Sequence, residues 1–193
     1  MKVVVGLKAH SGWAALVALG KSGDNLVVVD RSRLELVEEE WAKQPYHAAE
    51  DLKPNEARDL VKRGIAAAHR IARRELRAAL DRERDLGNQV VACAVLVGTP
   101  MPDWTVEQIL AVHFRMHQAE GVLFRDALIE AAKTCDVKVV TPSEKTLLQE
   151  AEKLLHVPGG DLTKRIAALG KTAGPPWGKD QKDAALAALI GFT

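Results

Sequence analysis

Aromatic residues are scarce in this chain, at 4% of 193 residues with a single tyrosine. Cysteine is rarer still, with only Cys93 and Cys135. Their spacing matches no metal or redox motif, and each lies in or beside an apolar segment. They read as small buried thiols of a reducing compartment, with a metal or redox pair as the other reading. A charge of one sign is also missing. Lys and Arg number 27 against 26 Asp and Glu, a net charge of +1, so no global field draws the chain to nucleic acid or membrane. Any such partner needs a local patch. No apolar run approaches the roughly 18–20 residues of a membrane span. The opening Met1-Lys2-Val3-Val4-Val5-Gly6 is too short for a signal-peptide core. These absences predict a cytoplasmic protein with no membrane partner.

What is present is enough hydrophobic residue, 47%, to bury one core, so residues 1–193 are expected to form a single domain. Val3-Val4-Val5 leads through a polar kink to Trp13–Leu19, and Gly20–Asn25 reads as a turn. Leu26–Val29 and the alternating run Leu34–Glu38 follow as further strands, which together make an antiparallel meander. Residues 39–53 show no period. A helix is expected from Pro54 to about Leu86, because Val61, Ile65, Ala68, Ala72, Leu76 and Ala79 recur at helical spacing. Gln89–Gly98 is apolar throughout, as in a central strand covered on both faces.

A helix from Val106 to Lys133 follows, with a capping box between Thr105 and Gln108, and then a buried strand at Val137–Val140. Thr141-Pro142-Ser143-Glu144 combines a capping threonine, a proline at the first helical position and a glutamate, and predicts a helix to Leu155. Shorter helices are expected from Asp161 to Gly170 and from Asp183 to Ile190. A meander followed by strand–helix–strand crossovers gives an α/β fold: a mixed sheet, antiparallel then parallel, with helices on both faces. Ribonuclease H-like proteins share this order.

Four segments carry a closer resemblance. They are Gly6-Leu7-Lys8-Ala9-His10 on the first strand, Gln118-Ala119-Glu120-Gly121-Val122, Glu144-Lys145, and Asp180-Gln181-Lys182-Asp183-Ala184-Ala185-Leu186. Together the chain resembles the RuvC-type Holliday-junction resolvases of the RNase H-like superfamily. The resemblance implies nuclease chemistry on two divalent metals, Mg²⁺ or Mn²⁺, held by four carboxylates, and a homodimer that meets branched DNA. The departures are specific. Lys8 stands where the first aspartate belongs, and the central strand ends at Val97-Gly98 without a glutamate. Asp180 and Asp183 remain, either as metal ligands and catalytic groups or as caps of the last helix.

Three other groupings carry chemistry. His113, His117 and Glu120 fall at i, i+4 and i+7 on one helix face, where they could hold a single metal with Glu120 as ligand or general base. They could equally form a polar, hydrogen-bonded face. Arg63, Arg70, Arg74 and Arg77 line another helix, and with Lys145 they are candidates for phosphate contact. Interleaved acids favour internal ion pairs there instead. Trp177, between Pro176 and Gly178, either stacks on a base or anchors its loop. The expected function is a nucleic-acid-binding protein of this fold, for branched or single-stranded DNA, with a degenerate or altered metal-dependent nuclease site. The alternatives are a non-catalytic scaffold and a single-metal hydrolase built on His113, His117 and Glu120.

Overall fold

The computed structural model describes residues 1–23 and 25–193. Valines and alanines dominate its first two strands, β1 (Lys2–His10) and β2 (Trp13–Ser22), which pair antiparallel about the Ser11-Gly12 turn. Gly12 takes φ +83°, a conformation that favours glycine. The third strand, β3 (Asn25–Glu35), pairs antiparallel with β2 over its whole length. The run at 26–29 and the start of the run at 34–38 therefore belong to one strand, in which a register shift opposite Ala18/Leu19 absorbs the break in alternation, while residues 36–38 lie beyond its end. The turn between β2 and β3 is also tighter than expected, since Gly20–Ser22 belong to β2, and Asp24 lies outside the described residues.

Two parallel strands complete the sheet, β4 (Gln89–Val95) beside β1 and β5 (Lys138–Val140) beside β4, in the order β3-β2-β1-β4-β5. The expected mixed sheet is present. β5 is an edge strand of three residues, exposed at Lys138 and half-buried at Val139 and Val140, rather than a buried one.

Side-chain alternation on β1 divides the core. Val3, Val5 and Leu7 meet the helices α2 (Pro54–Asp85) and α4 (His113–Lys133) on one face. Val4 points to the other face, toward α5 (Leu147–Leu155), α6 (Gly159–Ala173) and α7 (Lys179–Ile190). Two short helices, α1 (Pro45–Ala48) and α3 (Val106–Leu110), close one end, where Tyr46, Ala49, Val61, Ile109 and Met116 cluster.

The stretch 39–53, aperiodic in sequence, holds a 3₁₀ turn at Glu40–Lys43 and then α1, fixed by the apolar cluster rather than by its own pattern. The expected 106–133 helix is broken at Ala111-Val112, although the capping box at Thr105/Gln108 forms as expected. The helix expected at Thr141 starts only at Leu147, because the segment before it pairs with the end of β4 and then turns over residues 144–146. Val97 N–H donates to Pro142 O, Glu144 N–H donates to Val97 O, and Val97 bridges Ser143 as if β4 and β5 ran on. The carboxylate of Glu150 then accepts from Ser143 N–H and Thr146 Oγ1.

Gly6 positions the last helix. A Cβ at this point of β1 would overlap the backbone carbonyl of Ala184, so α7 lies directly against the strand. Two residues along the same face, Lys8 emerges beside the first turns of α7.

Candidate functional site

Lys8 lies at the carboxyl end of β1, where the parallel part of an open α/β sheet commonly presents its ligand site. By the alternation of the strand it shares a face with Val4 and Gly6, toward α7. Its side chain is 8% exposed and its ammonium meets three carboxylates: Asp183 Oδ2 at 2.7 Å, Glu144 Oε1 at 3.1 Å and Asp180 Oδ1 at 3.2 Å. Asp180 and Asp183 come from the first turn and a half of α7, and Glu144 from the turn that follows the bridge between Val97 and Ser143.

Burial disfavours the charged amine. Hydrogen bonds to Asp183 and Glu144, the negative charge of Asp183 and the contact with Asp180 outweigh it, and the Lys8 pKa is raised above the ordinary lysine value. A lysine held protonated in this way offers neither a lone pair for general-base work nor an amine for nucleophilic attack near neutral pH.

Further cations surround the same carboxylates. Lys179 pairs with Asp183, and Arg125 Nη2 lies 3.7 Å from Glu144 Oε2. The Arg125 guanidinium covers Gly98, just beyond the carboxyl end of β4, where a Cβ would collide with it. An arginine thus fills the space at the end of the central strand where the resemblance implies a glutamate. Three carboxylates face three cations. His10 Nε2 adds a contact 3.1 Å from Asp180 Oδ2, without the direction of a hydrogen bond, while its ring stacks 4.3 Å from that of Trp13. Arg33 covers the Trp13 ring as well, 4.1 Å from its centroid.

This donor set does not fit a pair of divalent metals. Mg²⁺ or Mn²⁺ would need the oxygens of Asp180, Asp183 and Glu144 as ligands at about 2.0–2.2 Å. The point on which those oxygens converge is held by the Lys8 ammonium, which repels a metal and already neutralises its ligands.

The other candidate residues fall in separate places. Glu120, 3% exposed, has no contact with Asp180 or Asp183. Its Oε1 accepts the backbone N–H groups of Tyr46 and His47 at 3.2 and 3.1 Å, and its Oε2 lies 2.7 Å from His47 Nδ1. The grouping His113, His117 and Glu120 is therefore reorganised: the two histidines meet His47, and Glu120 stands behind His47. Arg70 and Arg74 bind Glu38, Arg77 donates to Thr134 O and Arg63 lies over the Trp41 ring, so these four arginines of α2 are engaged within the protein. Trp177 anchors its loop. Its indole N–H donates to Ile166 O at 3.0 Å and its ring packs on Gly170.

Lys145 does line the site. A groove of about 530 Å³ runs over Gly98, Thr99, His117, Arg125, Glu144 and Lys145, with Lys179 on its wall. A larger hollow of about 910 Å³ lies elsewhere, among Leu26, Val28, Leu162, Ile166 and Leu189. Among the described residues its lining holds no acidic side chain, histidine or cysteine, only the basic Lys21 and Arg165, and the smaller groove is where acidic, basic and histidine side chains converge.

Sequence reasoning missed two residues. Glu144 belongs, by local pattern, to a helix cap, and only the β4–β5 bridge moves it into the site. Nothing periodic surrounds His47. Its proximity to His113 and His117 arises when α1 docks on α4.

No protein-family model matches the chain, and no curated protein sequence does. Two solved structures match it along 97% of its length and 91% of theirs: RuvC of Thermus thermophilus, and T. thermophilus RuvC in complex with a Holliday junction substrate. Each superposes with a TM-score of 0.56 at 14% sequence identity. The fold is that of RuvC. At this identity the RuvC likeness concerns the fold alone, and the Lys8 cluster is a property of this chain. Among the described residues, no helix is long and apolar enough to cross a membrane.

Proposed function

We propose that this protein binds DNA, branched or single-stranded, in the groove over Glu144 and Lys145, and does not cleave it by two-metal chemistry. The observation that carries the reading is the Lys8 ammonium at 2.7–3.2 Å from all three carboxylates of the site. An ammonium supplies the charge neutralisation that metals would supply and gives no activated water. The related T. thermophilus RuvC is seen with a Holliday junction substrate, which supports DNA as the partner class.

Among the described residues lining the groove, Lys145 is the cation free for phosphate, since Lys179 is paired with Asp183 and Arg125 lies against Glu144 and Gly98. Arg70 and Arg74 of α2 would contribute only by exchanging Glu38 for a phosphate. Binding is therefore salt-sensitive and rests on few contacts.

The test is fluorescence anisotropy of a labelled four-way junction, a duplex and a single strand across a salt series. The expected result is junction or single-strand binding that weakens with salt. Lys145→Ala should lower the slope of log K against log salt by about one contact, 0.7–0.9. Absence of binding to any of the three at low salt would refute the reading and leave the scaffold alternative.

A further inference from the structure

His47, His113 and His117 meet on the protein surface although they come from two helices. Each offers one ring nitrogen, and those nitrogens lie within 4.8 Å of one another. Their ring centroids are 4.5–5.0 Å apart and no pair is stacked, with interplanar angles of 51–90°. With no stacked pair to hold the rings parallel, the three nitrogens can be presented to a common point.

Hydrogen bonding aims the lone pair of His47 inward. Glu120 is buried and, as a carboxylate, only accepts hydrogen bonds, so the proton between it and His47 belongs to Nδ1. His47 Nε2 is then a bare acceptor. It is shielded from solvent and has no hydrogen-bond partner among the described residues. On His113, Nδ1 lies on the side of Glu50, 3.7 Å from its Oε1. His113 Nε2 faces His117 Nε2 at 3.2 Å. Two nitrogens on a tetrahedral zinc, each about 2.05 Å from the metal, are separated by roughly 3.3 Å.

We infer that His47, His113 and His117 form a site for one divalent transition metal of the zinc type, with Nε2 of each as ligand. Glu120 is a positioning residue. It holds the His47 ring by the carboxylate–histidine contact that commonly backs a metal-bound imidazole, and it ties α1 in place through the Tyr46 and His47 N–H groups. Three imidazoles select zinc, cobalt, nickel or copper over magnesium and calcium, which require oxygen ligands. His113 and His117 are exposed, so a fourth coordination position remains open to water or to a ligand from solvent. His117 also lines the groove containing Glu144 and Lys145, which puts the metal at its rim. The site shares no residue with the Lys8 cluster and stands whether or not the protein binds DNA.

The experiment is calorimetric titration of the chelator-stripped protein with Zn²⁺ alone, repeated with Co²⁺ by visible absorption. One Zn²⁺ per chain is expected, with cobalt bands of a four-coordinate nitrogen-rich site and no competition from excess Mg²⁺. His113→Ala changes an exposed side chain and preserves the fold, and should weaken binding more than about 100-fold. Glu120→Gln, with its fold verified by circular dichroism, should weaken it about 10–100-fold. Asp183→Asn should leave it unchanged. Failure to bind one equivalent, or an affinity that His113→Ala leaves intact, would overturn the assignment.

Discussion

Lys8 decides the character of the site. It is a long aliphatic side chain buried to its tip, with an ammonium matched by three partly exposed carboxylates. Lys8→Met would keep the stem and remove the charge, leaving Asp180, Asp183 and Glu144 to repel one another. We expect a loss of about 2–4 kcal/mol, read by chemical denaturation at neutral pH, because breaking a buried pair strands its partners. The pH dependence follows from the raised pKa. The ammonium's contribution is complete below the unfolded value of about 10.5 and is lost only as pH rises through the higher folded value. The stability gap between wild type and Lys8→Met should therefore be flat from neutral pH to the ordinary lysine range and close above it; a gap that closes below pH 9 would contradict this. Lys8→Asp goes further by adding a fourth carboxylate. This variant should melt lower in chelator and recover several degrees with millimolar Mn²⁺, whereas wild type should not respond. Cys93 shows the opposite case of burial without a partner. Desolvation, with the neighbouring Cys135 thiol, pushes its thiol up to about 12, which disfavours the reactive thiolate at neutral pH.

At the level of elements, the contact of α7 with β1 at Gly6 delivers Asp180 and Asp183 to Lys8. Gly6→Ala would force the helix away from the strand. We expect it to cost about 1–3 kcal/mol in urea denaturation and to loosen the ammonium's contacts. A neutral effect would show that the helix can shift freely. The elements readable from sequence were those with a strong period or an unbroken apolar run: α2, β4 and the outline of the meander. Periodicity failed where contacts from elsewhere in the chain rule. Thr141–Glu144 has good capping chemistry, but its backbone finds better partners on Val97, and the helix starts later. Residues 39–53 have no period, because α1 is held by Tyr46 in the apolar end cluster and by the Glu120 carboxylate. His47 was invisible for that reason, and Glu144 for the former. Asp180, Asp183 and the odd Lys8 were legible through the resemblance. That their charges would meet was not, since it depends on packing.

Across the whole molecule, a near-zero net charge is reproduced in miniature at the site, where cations and carboxylates cancel. A RuvC-like sheet with such a centre keeps the shape that presents a groove and loses the concentrated negative charge that would recruit metals. Arg70, Arg74 and Arg77 of α2 are engaged by Glu38 and Thr134, so the proposed DNA binding would rest chiefly on the groove and its rim. Cleavage of a labelled four-way junction in Mg²⁺ or Mn²⁺, comparing wild type with Asp183→Asn, tests this most directly. The expected result is a bound, intact junction with both proteins. Cleavage by wild type that Asp183→Asn abolishes would mean that metals displace Lys8 from its carboxylates, and would contradict the account.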